Sequence, residues 1–310
     1  MSVWVTLHPL SPGAVTIERL FVGTVVVLSV LFALVVALGV YAIIKYRDRP
    51  GAAEPAQEFG SRRLEIGWTA GAIVVVAALM VFTASATIAV NPPADANKPD
   101  LRIVGHQWWW EIDYPDSGVM TANEVHIPAG KRLLVDVEAA DVIHDFWVPE
   151  LGRKIDAIPQ HPNWIYLQAD RPGTYLGTCA EFCGPEHAWM RIMVVAQDQA
   201  DFDSWQTAQR AVPPAPGSGL AAAGAQLFRE QTCINCHAIA GTGSTAKVGP
   251  DLTHISTRQT LASGAAINSA DELFKWLKDP DSIKPQSHMP NFQLSNEQVT
   301  ELVAYLEALK

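Results

Sequence analysis

The hydrophobic pattern changes character twice along the chain, from long unbroken apolar runs to short alternating segments and then to segments of helical period. From Leu20 to Ile44 (LFVGTVVVLSVLFALVVALGVYAII) and from Ile66 to Val90 (IGWTAGAIVVVAALMVFTASATIAV), about 25 residues pass without a charge. At about 1.5 Å per residue each run is long enough to cross a hydrocarbon layer of about 30 Å. A cleaved secretory signal is the weaker reading of the first run, because its apolar part is too long and no basic cluster precedes it. The pattern predicts a two-helix transmembrane hairpin. Lys45, Arg47, Arg49, Arg62 and Arg63 flank the loop between the runs, so the loop is expected on the cytoplasmic side, with both termini and everything after about Asn91 outside.

From Leu101 to Val195 the segments LRIVGHQWWWEI, HIPAGKRLLVDVEA, WIYLQADRPGTYLGTC and MRIMVVA alternate, as Leu133, Val135 and Val137 do, and Pro/Gly turns separate them. That is the pattern of an all-β sandwich or barrel. AVPPAPGSGLAAAG (211–224) reads as a linker partly stiffened by its prolines. Beyond it GAQLFREQ, SADELFKWLKDP (with Ser269 or Asp271 as cap) and NEQVTELVAYLEALK, with Val299, Leu302, Val303 and Leu306 on one face, predict a small all-α domain. The expected divisions are 1–95 for the hairpin, 96–210 for the β domain, 211–222 for the linker and 223–310 for the helical domain.

The formal net charge of -10 is uneven: about nine excess acidic charges fall in 91–210, about two in 211–310, and 1–90 is near neutral. The acidic surface serves solubility or the steering of a basic partner. No internal repeat, phosphate-cradling Gly loop or basic nucleic-acid patch is present.

All four cysteines lie in two motifs. Cys233, Cys236 and His237 form C-x-x-C-H, in which both thiols become thioethers on a porphyrin edge and the histidine ligates iron. A redox C-x-x-C would sit in a βαβ context, whereas these flanks are helical; a zinc site would need further ligands, for which only His254 and His288 are near. Met289 is the expected second axial ligand of this haem c, with His288 as its rival. The other motif is CAEFCGPEHAWM, 179–190. A Cys179–Cys183 disulfide would leave His187 and Met190 without a role, and zinc has no use for a thioether. Copper uses all three donor types, and two thiolates facing one pocket can bridge a pair of copper ions. Spacing does not choose the second histidine among His106, His126, His144 and His161.

GHQWWW (105–110), DVIHDFWVPELGRKIDAIP (141–159), RPGTYLGTCAEFCGPEHAWM (171–190) and the preceding hairpin resemble subunit II of haem-copper cytochrome c oxidase. With a haem domain behind the linker, the chain is similar to the caa3 type. The resemblance implies a cupredoxin-like β barrel and a C-terminal cytochrome c domain. It implies a binuclear CuA centre held by the side chains of His144, Cys179, Cys183, His187 and Met190 and the backbone carbonyl of Glu181. The Glu181 carboxylate would reach an interfacial magnesium ion shared with the catalytic subunit. Trp108 matches the aromatic residue that takes electrons from cytochrome c, against the plainer reading that the tryptophans pack the barrel. Glu65 matches a glutamate at the mouth of a proton path, against that of a snorkelling surface acid. Ala180 stands where many members have serine, a position between ligands.

The implied function is that of an electron-entry subunit in the cell membrane of a bacterium. The chain would pass electrons from cytochrome c or another donor through haem c and CuA to catalytic subunit I, which reduces oxygen, with subunit III as a further partner. Asp141 and Asp156 are expected to dock the tethered haem domain as well as an external donor. The rivals are a nitric oxide reductase subunit, a nitrous oxide reductase, whose histidine-rich domain is missing here, and a free membrane-tethered electron carrier or copper store. One helix would suffice for such a tether, and Glu65, Thr69, Ser85 and Thr87 suit packing against other helices.

Overall fold

The computed structural model describes residues 7–51, 53, 54, 57, 60–93 and 95–310. Two compact units separate, one spanning Val15–Val90 and the other built on Asn91–Lys310.

The first unit consists of α1 (Pro12–Lys45) and α2 (Arg62–Val90). Proline opens α1, where its missing N–H costs nothing, and Lys45 closes it. Both extend beyond the uncharged runs into their polar flanks. Phe32, Ile43 and Ile88 are largely exposed, as apolar side chains are when lipid rather than protein covers them. These are the two helices, among the described residues, long and apolar enough to cross a membrane.

In the second unit ten strands form two five-stranded sheets. They are β1 (Leu101–His106), β2 (Trp109–Tyr114), β3 (Val119–Ala122), β4 (Glu124–Pro128), β5 (Leu133–Ala139), β6 (His144–Trp147), β7 (Ile155–Ala157), β8 (Asn163–Leu167), β9 (Gly173–Cys179) and β10 (Arg191–Gln197). One sheet has the order β3-β2-β1-β5-β8 and the other β4-β10-β9-β6-β7. Alternation decides what faces inward: Leu101 and Ile103 are buried while Arg102 between them is exposed. Trp110, Ile112, Val135, Val137, Phe146, Ile192 and Val194 complete the core. Two parallel pairings, β1 with β5 and β10 with β4, connect strands far apart in sequence. The β6–β9 pairing matters most for function. Its register sets Phe146 opposite Cys179, which brings His144 to the end of the strand that delivers the first cysteine.

A polar helix, α3 (Gln199–Gln209), follows the barrel and is anchored by Phe202 and Trp205, which face Tyr114. The loop 212–217 then leads to α4 (Gly219–Glu230), so the alanine-rich half of the stretch read as linker is helical. Two further helices, α5 (Ala270–Lys278) and α6 (Asn296–Glu307), pack with α4 around Leu227, Phe228, Leu273, Val299, Leu302 and Leu306. Ser269 caps α5, as anticipated. Ser295 and Gln298 form a reciprocal capping box at the start of α6, an arrangement in which the cap contributes about 1 kcal/mol. Two short hairpins, β11 (His237–Ile239) with β12 (Ser244–Lys247) and β13 (Thr260–Leu261) with β14 (Ala266–Ile267), supplement the helices.

Candidate functional site

At the open end of the barrel the 179–190 loop turns back on itself and its donors converge. The Cys179 and Cys183 thiols are free, with their sulfurs 3.8 Å apart. Cys183 Sγ lies 3.7 Å from His187 Nδ1 and 3.9 Å from Met190 Sδ. The Glu181 carbonyl oxygen lies 3.2 Å from Cys179 Sγ, while the residue's side chain is exposed. His144 joins from β6: one ligand atom each of His144, Cys179 and Cys183 lie within 4.8 Å of one another, all three residues being buried.

Two details prepare this cluster for a metal. Asp141 Oδ1 bonds His144 Nε2 at 2.8 Å, and His144 Nδ1, completely buried, has no hydrogen-bond partner. A carboxylate on one ring nitrogen fixes the tautomer and leaves the other nitrogen's lone pair for an ion. The cysteines titrate as a pair. Hydrogen bonding from Cys183 brings the Cys179 thiol down to about 3, whereas that same bond and burial hold the Cys183 thiol well above its ordinary value. The pair gives up its first proton more readily than its second, and a cation bound between the sulfurs would draw off both. Soft sulfurs, two imidazoles and a thioether suit copper. Gly105 makes room for the site, because a Cβ there would lie 2.7 Å from the His144 ring.

The second site is a cavity of about 440 Å³ lined by Cys233, Cys236, His237, Met289, Trp276 and Phe292 among others. The His237 ring nitrogen Nδ1 bonds the Pro250 carbonyl at 2.8 Å. Burial pushes the imidazole pKa down, so the ring is neutral, Nδ1 carries the proton and Nε2 keeps a lone pair. Gly249 is required at its flank, where a Cβ would come within 2.5 Å of the His237 ring. A large apolar slot, two cysteines at its edge and a histidine with one fixed nitrogen fit a covalently attached haem.

Trp108 stands where the sites meet. It is 5% exposed, its indole N–H donates to the Cys183 carbonyl at 3.0 Å, and its ring centroid lies 4.4 Å from that of His288. It also lines the 440 Å³ cavity. Glu65 is exposed in the first turn of α2. The acidic residues that meet the helical domain differ from those expected. Asp141 is engaged with His144 and the Gln107 N–H, and Asp156 sits beside Asp145 on the β6–β7 ribbon. The contacts are made instead by Glu111 to Lys247, by Glu124, which accepts from the backbone N–H groups of Gln259 and Thr260, and by Glu186 to Lys284. Sequence spacing carries no signal for these pairs, each more than ninety residues apart. It did carry one for Asp141, three residues before His144.

The family model for the periplasmic domain of cytochrome c oxidase subunit II matches residues 118–197, and that for cytochrome c matches 221–310. Cytochrome c oxidase subunit 2 of Alkalihalophilus pseudofirmus is 37% identical over 311 residues, covering 98% of this chain and 90% of that one. The chain belongs to the cytochrome c oxidase subunit 2 family. The Bacillus subtilis member is 30% identical over 290 residues, covering 87% of this chain and 82% of its own. A crystal structure of the periplasmic domain of subunit II from Bradyrhizobium japonicum is 33% identical, covering 37% of this chain and 96% of that one, with a TM-score of 0.35.

The subunit is therefore part of an oxidoreductase complex with a haem-copper oxidase partner, and electrons enter the complex through it. The fused cytochrome c domain agrees with the caa3 type. Its oxidase domain implies CuA copper and its cytochrome domain haem. Two apolar helices anchor it in the membrane with the redox part outside.

Proposed function

We propose that the subunit receives electrons at haem c and delivers them through CuA to catalytic subunit I, in a complex that also contains subunit III and draws on a cytochrome c or similar donor. His144, Cys179, Cys183, His187, Met190 and the Glu181 carbonyl would hold the copper pair. Cys233 and Cys236 would hold the haem covalently, and His237 and Met289 would supply ligand atoms to its iron. When bound, each centre supplies reversible one-electron chemistry. The protein's part is to exclude water, fix ligand atoms and bring the sites together. Asp141 and the Pro250 carbonyl orient the two histidines, and the buried sulfurs keep solvent from the copper loop.

The observation that carries this reading is the double contact of Trp108, hydrogen-bonded to the Cys183 carbonyl and lining the haem cavity. In this chain Trp108 serves the tethered haem domain, because at 5% exposure it offers an external donor almost no surface. The exposed Glu181 carboxylate is free to reach magnesium at the boundary with subunit I, and Glu65 marks the entrance of a proton path on the cytoplasmic side. Both termini lie outside the membrane, on the side opposite the basic loop. The domain divisions follow the same reading, with residues 1–95 as anchor, 96–210 carrying copper, the joining segment ending where α4 begins at Gly219 and the helical domain from α4 onward carrying haem.

Metal analysis of the purified complex tests the ligand assignment. Relative to this subunit, two CuA coppers and one covalent haem c are expected, above the metals of the catalytic subunit, with a mixed-valence copper EPR signal. Zinc or a single copper in the 179–190 loop would refute it.

A further inference from the structure

Of the contacts between the helical domain and the barrel, most are solvent-exposed at one partner at least. The Lys247 side chain in the pair with Glu111 is 57% exposed, and such pairs are weak and screened by salt. Lys284 is different. Its ammonium lies 3.1 Å from Glu186 Oε2, with the two side chains 6% and 1% exposed. It also donates to the Trp108 carbonyl at 2.7 Å, and Ser263 Oγ donates to the same oxygen at 2.8 Å. One buried cation of the haem domain thus grips the tryptophan between the sites and a carboxylate one residue from His187. The lysine is itself held by a turn, its backbone N–H donating to the Pro280 carbonyl at 2.9 Å.

A buried ion pair is costly to desolvate and is poor evidence for stability by itself. It is, however, highly directional, because breaking it strands a charge away from water. Only with the haem domain seated on the copper loop can both acceptors be satisfied by one ammonium.

We propose that Lys284 is a positioning residue for electron transfer between haem c and CuA, clamping the Trp108 carbonyl and Glu186 so that the two sites keep one fixed separation. The inference rests on the ligand assignments proposed above. The step it governs is the passage of one electron from the Cys233/Cys236 site, which is oxidised, to the Cys179/Cys183 site, which is reduced; no bond breaks and no proton or group moves. Because the clamp is buried, the rate in the unmodified protein should not depend on ionic strength.

The test is made on the assembled oxidase. An electron is injected into haem c by a flash-activated photoreductant, and the haem-to-CuA rate is read from the two absorption bands. Lys284→Met is expected to slow the step severalfold, because donor and acceptor are no longer held at one separation, with the haem and copper spectra unchanged. Lys284→Arg, which keeps a buried cationic donor, should recover most of the rate. Should Lys284→Met fail to assemble, the double variant Lys284→Met, Glu186→Gln removes the stranded charge and should be slowed by a similar factor. A wild-type rate in either methionine variant, or failure of arginine to restore a slowed rate, overturns the proposal. Absence of a copper or haem spectrum from the unmodified complex would instead strike the ligand assignment, so the two failures are distinguishable.

Discussion

Cys183→Ser removes the copper-pair signature entirely and leaves the haem c band in place. Cys183 is the hub of the loop, with Cys179 Sγ, His187 Nδ1 and Met190 Sδ all between 3.7 and 3.9 Å from its sulfur. Serine is nearly isosteric, so a residue that is 4% exposed in the native fold can be replaced without opening the barrel. The oxygen it introduces is a hard alkoxide precursor that stays protonated at any useful pH and cannot bridge two soft ions. The donor set would then fall to one thiolate, two imidazoles and a thioether, which suits a single ion. Near-infrared absorption and mixed-valence EPR should vanish, and turnover with a reduced donor should fall to background. Persistence of the near-infrared band would show that Cys183 is not a bridging ligand.

The second large effect concerns the helical domain. Without haem, the cavity of about 440 Å³ beside His237 is left empty or wet. Phe228, Leu273 and Leu302 on its wall then face water instead of apolar surface, a loss of burial that costs about a few kcal/mol in a domain whose whole stability is about 5–15 kcal/mol. The helices cannot close the gap without giving up packing they already have, since α6 packs against both α4 and α5. The double variant Cys233→Ala, Cys236→Ala cannot anchor the group. It is expected to lose fixed tertiary packing in 223–310 while the barrel keeps its copper. Near-ultraviolet circular dichroism and limited proteolysis report this, with cleavage concentrated after about residue 220. A sharp, cooperative unfolding transition of the helical domain in that variant would contradict the argument.

What could be read from the chain beforehand was what lies close in sequence. C-x-x-C-H and the 179–190 loop contain most of their own donors within about a dozen residues, and the apolar runs need no partner to be recognised as spans. His144 needed more than its own neighbourhood. It reaches the cysteines only because β6 pairs with β9, a register that no local pattern encodes, and four histidines were equally admissible until family resemblance selected one. Helix α3 escaped notice because its sequence, QADFDSWQTAQ, is polar apart from Phe202 and Trp205. Its stability comes from stacking those rings on the barrel rather than from an apolar stripe.

The linker shows a different limit. Prolines and glycines set its character up to about Ser218, but the alanines that follow have the highest helix propensity of any residue, and α4 uses them. The contacts that seat the haem domain were the least legible of all. Asp141 and Asp156 looked like docking acids because they are charged and near the motif. Glu111, Glu124 and Glu186 make the contacts because they lie on the barrel surface that the helical domain covers, information that exists only in three dimensions. Glu186 stood in plain view between two proposed ligands, and nothing about its spacing pointed to Lys284.

The central claim is that electrons reach CuA by way of the fused haem, across the contact at Trp108. The most direct measurement is the order of reduction when oxidised complex is mixed with a reduced soluble cytochrome c under anaerobic conditions. The haem c band is expected to respond first and the CuA near-infrared band to follow, with the second phase independent of donor concentration. Reduction of CuA ahead of haem c, or a CuA rate that still rises with donor concentration once haem c reduction is complete, would contradict it, because an external donor would then be reaching copper without passing through the tethered domain.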